Sequence, residues 1–259
     1  MDQILMERMT WTEVRDALDD GYDTVVLFTG SIEQHGPHLP LATDTLCAYA
    51  LAERVARRLG KALVAPVVRP GVSEHHMAFP GTITIQPATF KAVVSDCVDS
   101  LVRHGFRRVA VSWAHGGNTP ALREVLPEIA ARHPGLELVA QADVPAFFAH
   151  WKPLAEGEGI DLGTLGIHGG EGETSMMLAH VPDQVREGRV AAGYTGDLVT
   201  DPVVFANLLS TGLRSFTENG ILGDARPADR TRGVRYLEAM ADFLAAALAP
   251  VVPATTSPA

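Results

Sequence analysis

The chain has 259 residues, of which 46% are hydrophobic, and its formal net charge is −10 at pH 7. This acidic balance argues against nucleic acid or an anionic membrane as a partner, because both are polyanions. Cys47 and Cys97, the two cysteines, each lie inside a helical pattern with no second cysteine nearby, which argues against a disulfide framework. The N-terminus lacks a signal-peptide pattern, and no apolar run approaches the roughly 20 residues that span a bilayer. We therefore expect a soluble protein of the cytoplasm.

The first half of the chain alternates apolar strands with amphipathic helices. Such alternation is typical of an α/β protein with a largely parallel sheet and right-handed crossovers. The predicted strands are Thr24–Phe28, Ala62–Pro66, Thr82–Ile85, Arg107–Trp113 and Leu136–Gln141, and the predicted helices are Thr10–Leu18, Thr43–Leu59, Pro87–His104 and Pro120–His133.

The second half is less regular. The stretch Ala146–Gly170 is rich in glycine and predicts irregular structure, and a helix starts near Glu173. Further helices are predicted over Asp201–Phe216 and Thr231–Leu248. No linker divides the chain, so we expect a single domain over residues 1–250 and a flexible C-terminal tail over 251–259.

Three segments carry histidine beside glycine or an acidic residue. Glu33, His35 and Asp44 follow the first strand, His-Gly-Gly-Asn at 115–118 follows a later strand, and His-Gly-Gly-Glu-Gly-Glu occupies 168–173. If the two strands are neighbours, their carboxyl ends bring the first two segments to one edge of the sheet. Imidazoles and carboxylates crowded there are suited to a divalent metal. A metal-free network of hydrogen-bonded histidines is the alternative.

Two other classes of protein stay open on these residues. A serine hydrolase is one, although none of the candidate nucleophiles Ser31, Ser73, Ser112 and Ser175 lies in a Gly-x-Ser-x-Gly elbow. A metal- or ligand-binding subunit without catalytic activity is the other.

The longer motifs resemble the creatininase (creatinine amidohydrolase) family. They are GSIEQHGPHLPLATDT from Gly30, a loop ending in FPGTITI, the HGGN stretch and HGGEGETSMML from His168, in the family's order. The resemblance implies a three-layer α/β/α domain, a homohexamer, a small-molecule substrate and two divalent metal ions, which would be Zn, Mn or Fe.

The same resemblance implies roles for individual residues. Glu33, His35, Asp44 and His115 match metal ligands, with Asp44 bridging the two ions. His168 matches the catalytic histidine. Glu173 is assigned to the metal site or to catalysis as a general base. Predicted substrate contacts from the loops above the metals are Ser73, His76, Gly116 and Gly117. His38, which lies beyond Pro37, is expected behind the ligands or in the pocket wall.

Two positions depart from the creatinine-hydrolysing members. Gly117 stands where they have an acid, and Thr164 stands where they have tryptophan, so creatinine is not the expected substrate. We expect a metal-dependent amidohydrolase that cleaves a non-peptide C–N bond of a small molecule, a cyclic amide or a formamide, by means of a metal-bridging hydroxide. The alternatives are hydrolysis of a cyclic sugar-like ketone and trimming of a small peptide-derived cofactor precursor.

Overall fold

Four parallel strands form one sheet in the computed structural model, which describes residues 1–196 and 202–249. The sheet order is β2-β1-β3-β4. The strands are β1 (Thr24–Thr29), β2 (Ala62–Val64), β3 (Arg108–Trp113) and β4 (Glu137–Ala140). Their α-helical companions are α1 (Trp11–Asp19), α2 (Thr43–Leu59), α3 (Pro87–Arg103), α4 (Thr119–Arg132), α5 (Val144–Gly157), α6 (Leu162–Leu165), α7 (Glu171–His180), α8 (Pro202–Thr211) and α9 (Arg230–Ala247).

The strand order places helices on both faces of the sheet. The chain moves in one direction from β1 to β2 and in the opposite direction from β2 to β3 and β4. Because parallel crossovers are right-handed, α2 covers one face while α3 and α4 cover the other. Helices α7 and α9 pack with α2, and α3 packs with α4. The result is the α/β/α arrangement that the resemblance implied.

The two central strands form the core and end at the same level. All of β3 and nearly all of β1 are buried, whereas β4 at the sheet edge is partly exposed. In the parallel register Thr29 lies opposite Trp113, the last residue of each strand. The segments that follow them therefore leave the same edge of the sheet side by side.

Most elements in the first half agree with the prediction. Thr10 and Glu13 form a reciprocal capping box at the start of α1. The prediction of a strand over Thr82–Ile85 is wrong. This segment forms a single bridge, from Ile83 to Ile32, and no continuous ladder of paired residues. Strand β2 ends before the predicted Pro66, which has no amide hydrogen to extend a ladder.

The prediction of irregular structure over Ala146–Gly170 is wrong for residues 146–157. Helix α5 occupies about half of it, and its N-cap is Asp143, whose side chain accepts a hydrogen bond from the Ala146 amide. Pro145 lies in the first turn, where proline is tolerated, but Pro153 lies inside the helix. The interior proline hides the helical pattern in the sequence.

Helix α8 is shorter than predicted because Gly212, with a φ of 80°, ends it, and a 3-10 turn follows over Leu213–Ser215. The predicted first residue of this helix, Asp201, and the predicted tail lie outside the described residues. Among the described helices, none has both the length and the apolar character that a membrane crossing requires.

Candidate metal centre

The first two histidine segments meet at the level ends of β1 and β3. Glu33 and His35 lie on the loop after β1, and Asp44 lies in the first turn of α2. His115 follows β3 by two residues. All four side chains are buried, although each of them carries or can carry charge. Buried ionisable groups need partners, so their contacts decide what the site can do.

The carboxylate of Glu33 lies among three imidazoles. Its Oε1 is 3.2 Å from His76 Nε2, 3.2 Å from His115 Nδ1 and 3.7 Å from His168 Nδ1. Neither carboxylate oxygen has a hydrogen-bond partner among the described residues. A buried carboxylate without partners is costly, so this one is arranged to receive a cation or a proton.

Asp44 lies between two of the predicted ligands. Its Oδ1 is 3.0 Å from His35 Nε2, and its Oδ2 is 3.3 Å from His115 Nδ1. The Ser31 hydroxyl donates a hydrogen bond of 2.5 Å to Oδ2 and fixes the carboxylate. Burial opposes ionisation, but His35 and His115 hold the pKa of Asp44 well below its usual value.

Main-chain carbonyls determine which nitrogen of each imidazole carries hydrogen. His35 Nδ1 is 3.1 Å from the carbonyl of Glu33, and His115 Nε2 is 3.0 Å from that of Val72. His168 Nε2 is within hydrogen-bond distance of the Gln34 carbonyl. A carbonyl only accepts hydrogen bonds, so these nitrogens are the donors. The other nitrogen of each ring faces the carboxylates, which is the arrangement of metal-bound histidine.

The electrostatics of the metal-free protein agree with this geometry. Burial alone would lower the pKa of His35, but Asp44 and Glu173 raise it to about 10. Glu33 and Asp44 likewise raise the pKa of His115 against the effect of burial. In the absence of metal the two imidazoles therefore hold protons where a cation would otherwise lie.

The third segment completes this side of the site. Glu173 Oε2 accepts a hydrogen bond from the Gly169 amide and is 3.8 Å from His35 Nε2. Burial raises the pKa of Glu173 to about 7. Potential ligand atoms of His35, His168 and Glu173 all lie within 4.8 Å of one another, as do those of Glu33, His35 and Asp44.

Gly117 leaves no room for a side chain in this backbone. A Cβ there would lie 2.4 Å from both the Val72 carbonyl oxygen and His115 Nε2, and 2.9 Å from His75. The ring of His75 stacks on that of His115 at 5.7 Å. Main chain and imidazole thus leave no space for a side chain at this position.

A cavity of about 640 Å³ opens onto the cluster. Of the predicted substrate contacts, His76, Gly116 and Gly117 line it. Ser73 is fully buried, does not line this cavity, and lies 3.3 Å from His115 Nε2 through its hydroxyl. An aromatic wall extends the cavity away from the carboxylates and consists of Trp113, Phe147, Phe148 and Trp151.

Several contacts of the site were not predicted from the sequence. The side chain of Gln34 lies 3.2 Å from His76 Nδ1, and Asn118 joins the Gly30 carbonyl to the Val72 amide. His38 is buried and does not line the cavity, and its Nε2 lies 2.8 Å from the Thr174 hydroxyl. The sequence does not indicate these contacts of Gln34 and Asn118, because the groups that their side chains contact lie in distant parts of the chain.

The sequence of this chain is similar to known proteins of one family. The Creatininase family model, described as creatinine amidohydrolase, matches residues 7–248. A mycofactocin precursor peptide peptidase of Mycolicibacterium smegmatis is 33% identical over 221 residues, which cover 83% of this chain and 80% of that protein. A creatinine amidohydrolase of Pseudomonas putida is 29% identical over 266 residues, covering 97% and 98%.

Solved structures agree with the sequence matches. A manganese creatininase superposes with a TM-score of 0.78 at 28% identity, covering 95% of this chain and 97% of that chain. A mutant creatininase of Zn–Zn type superposes with a TM-score of 0.70 at 29% identity and the same coverage.

Proposed function

Because this chain belongs to the creatininase family of hydrolases that act on carbon–nitrogen bonds, we propose that it is a metal-dependent amidohydrolase of small molecules. The observation that carries the proposal is the buried Glu33 carboxylate, which has no hydrogen-bond partner among the described residues and faces three imidazoles. The scissile bond is a non-peptide amide, cyclic or formyl, and creatinine is not the substrate.

The residues fit two divalent ions. His35 and His115 each donate from one nitrogen to a main-chain carbonyl and leave the lone pair of the other facing buried carboxylates, a donor set suited to Zn or Mn. We assign Glu33, His35, Asp44, His115 and Glu173 as ligands, with Asp44 as the bridge. Its two oxygens face different histidines, which supports that assignment.

Divalent ions in such a site supply a water of lowered pKa and polarise the scissile carbonyl. His168 moves the proton. Its Nε2 is occupied by the Gln34 carbonyl, so Nδ1 is the free base, 3.7 Å from Glu33 Oε1 and beside the cavity. It accepts a proton as water adds to the carbonyl and donates it to the nitrogen as the C–N bond breaks.

Metal content and turnover test the proposal together. The purified protein is assayed on a panel of cyclic amides and formamides, with ions counted by mass spectrometry. We expect turnover that a chelator abolishes and that Mn or Zn restores. Turnover that survives chelation would indicate a serine hydrolase. Bound metal without turnover on any amide would indicate a binding subunit.

Trimming of a small peptide is a second candidate function, and the cavity favours it. A space of about 640 Å³ with an aromatic wall exceeds what a small cyclic amide fills. Relatives at 33% and 34% identity are named mycofactocin precursor peptide peptidases. Short peptides with apolar side chains therefore belong in the same panel, and their cleavage in preference to every cyclic amide and formamide would select this candidate.

We further propose that the protein is a cytoplasmic homohexamer. Family membership supports the assembly, and exposed apolar side chains at Trp11, Met77 and Ile83 offer surface for it. Two free cysteines fit a reducing compartment. Light scattering coupled to size exclusion tests the assembly, for which we expect about six times the 27.6 kDa of one chain.

A further inference from the structure

The side-chain amide of Gln34 is held in one orientation by main chain. Its Oε1 accepts a hydrogen bond of 2.9 Å from the Gly36 amide, and its Nε2 donates one of 3.2 Å to the Gly220 carbonyl. An amide N–H can pair only with the oxygen of Gln34, and a carbonyl only with its nitrogen. A Cβ at position 220 would lie 1.9 Å from Oε1, so the packing around this amide is tight.

The second hydrogen of this amide meets His76. Gln34 Nε2 lies 3.2 Å from His76 Nδ1. It also lies 3.0 Å from His168 Nε2, but that nitrogen already donates to the Gln34 carbonyl and cannot accept. His76 Nδ1 is therefore an acceptor, and the hydrogen of the neutral ring is on Nε2.

His76 thus differs from the three neighbouring histidines in that its ring nitrogen facing the site carries the hydrogen. In their neutral forms His35, His115 and His168 present lone pairs to the site, whereas His76 presents an N–H, 3.2 Å from Glu33 Oε1 and in the cavity wall. An N–H nitrogen cannot bind a metal, although the position of His76 beside Glu33 and His168 would allow it to be a ligand. A neutral N–H aimed into the site can donate to an oxygen.

We propose that Gln34 is a positioning residue that fixes His76 as a neutral hydrogen-bond donor to the carbonyl oxygen of the substrate. This inference rests on the proposed amide hydrolysis for the role of the donor. The tautomer itself does not depend on the reaction. A fixed donor near the carbon under attack stabilises the charge that develops on oxygen.

Neutron diffraction of the Zn-loaded protein tests the tautomer directly. We expect deuterium on Nε2 of His76 and none on Nδ1. The inference is overturned by deuterium on Nδ1 alone or by zinc bonded to Nε2. This result stands even if the protein hydrolyses no amide, so the failure of the inference and of the proposed function can be told apart.

A double-mutant cycle tests whether Gln34 acts through His76. We expect Gln34→Met to lower kcat about 10-fold and His76→Phe to lower it about 10²–10³-fold, with KM changing less than kcat and metal content unchanged. In the His76→Phe background, Gln34→Met should change kcat by less than about 2-fold, because the residue through which it acts is gone.

Gln141→Met is the matched control, since Gln141 is another buried glutamine, whose amide contacts Trp113 and the Asp143 carbonyl instead of an imidazole. Adding Gln141→Met to the unmodified protein or to the His76→Phe variant should change kcat by less than about 2-fold. Additive effects of Gln34→Met and His76→Phe, or loss of metal in Gln34→Met, would contradict the inference.

Discussion

This chain contains two clusters of buried charge, and they are built differently. In the first, the fully buried Glu171 accepts hydrogen bonds from Ser175 at 2.6 Å, Arg232 at 2.6 Å and Tyr236 at 3.2 Å. In the second, Glu33 is equally buried but has no hydrogen-bond partner among the described residues.

The Glu171 cluster is structural, because its carboxylate is already hydrogen-bonded within the protein. We call the Glu33 cluster receptive, because its carboxylate can still take up a proton or a cation. The Glu171 cluster joins α7 to α9, with the protein's own donors on both carboxylate oxygens. The Glu33 cluster leaves lone pairs of imidazole and carboxylate facing each other, which only protons or a cation can relieve. Burial of charge alone therefore does not identify a site, whereas a buried carboxylate with neither oxygen paired is the stronger sign of one.

Asp44→Ala should break the receptive cluster most severely. One carboxylate between His35 and His115 serves both proposed ions, so we expect loss of both and turnover at the uncatalysed background. Metal analysis and turnover are measured on protein whose circular dichroism is unchanged. Retention of two ions would refute the bridging role.

His168→Ala should separate chemistry from metal binding. We expect kcat to fall by about 10²–10⁴-fold while metal content stays near normal, because this imidazole is assigned to proton transfer. Steady-state kinetics and mass spectrometry of the same sample measure both quantities. If the metal leaves with the side chain, His168 is a ligand and its assigned role is wrong.

Arg232→Met should damage the structural cluster without touching the other. The buried Glu171 loses its charged partner, so we expect the free energy of unfolding to fall by about 3–5 kcal/mol with unchanged metal stoichiometry. Arg226→Met is the control, because the Arg226 side chain is exposed and solvent screens its pairing with Asp224, so the free energy of unfolding should change far less. Urea denaturation measures both, and equal losses would contradict the comparison.

The pH dependence of stability should show the smallest effect. In the metal-free protein the pKa of His35 is raised from its ordinary 6.5 to about 10. The stabilisation is then complete below pH 6.5 and is lost as pH rises through 10. We expect the urea midpoint of the metal-free protein to fall between pH 7 and 9, and that of the metal-loaded protein to fall less. Parallel slopes would mean that metal does not replace these protons.

The sequence predicted the central strands and the residues that follow them, because the patterns that indicate both are local. The apolar runs of β1 and β3 identify buried strands, and parallel pairing then places Glu33, His35 and His115 together. Helix α5 was missed because Pro153 interrupts its local pattern.

The roles of Gln34 and Gly117 could not be read from the sequence. The orientation of the Gln34 amide depends on Gly220, and the crowding at Gly117 depends on the Val72 carbonyl, both distant in the chain. A sequence motif shows which side chains are present, whereas the hydrogen on an imidazole depends on what faces its other nitrogen.

The bond from His168 to the Gln34 carbonyl spans 134 residues of chain, and it bears on the order of folding. A nascent chain that ends before this histidine already contains β1, β3 and four of the five proposed ligands, but it lacks Glu173 and the segment that closes the site. Long-range contacts of this kind form late because ordering the intervening chain is costly. A metal that binds only the closed site therefore stabilises the completed fold over its precursors, and metal supply during synthesis becomes a determinant of yield.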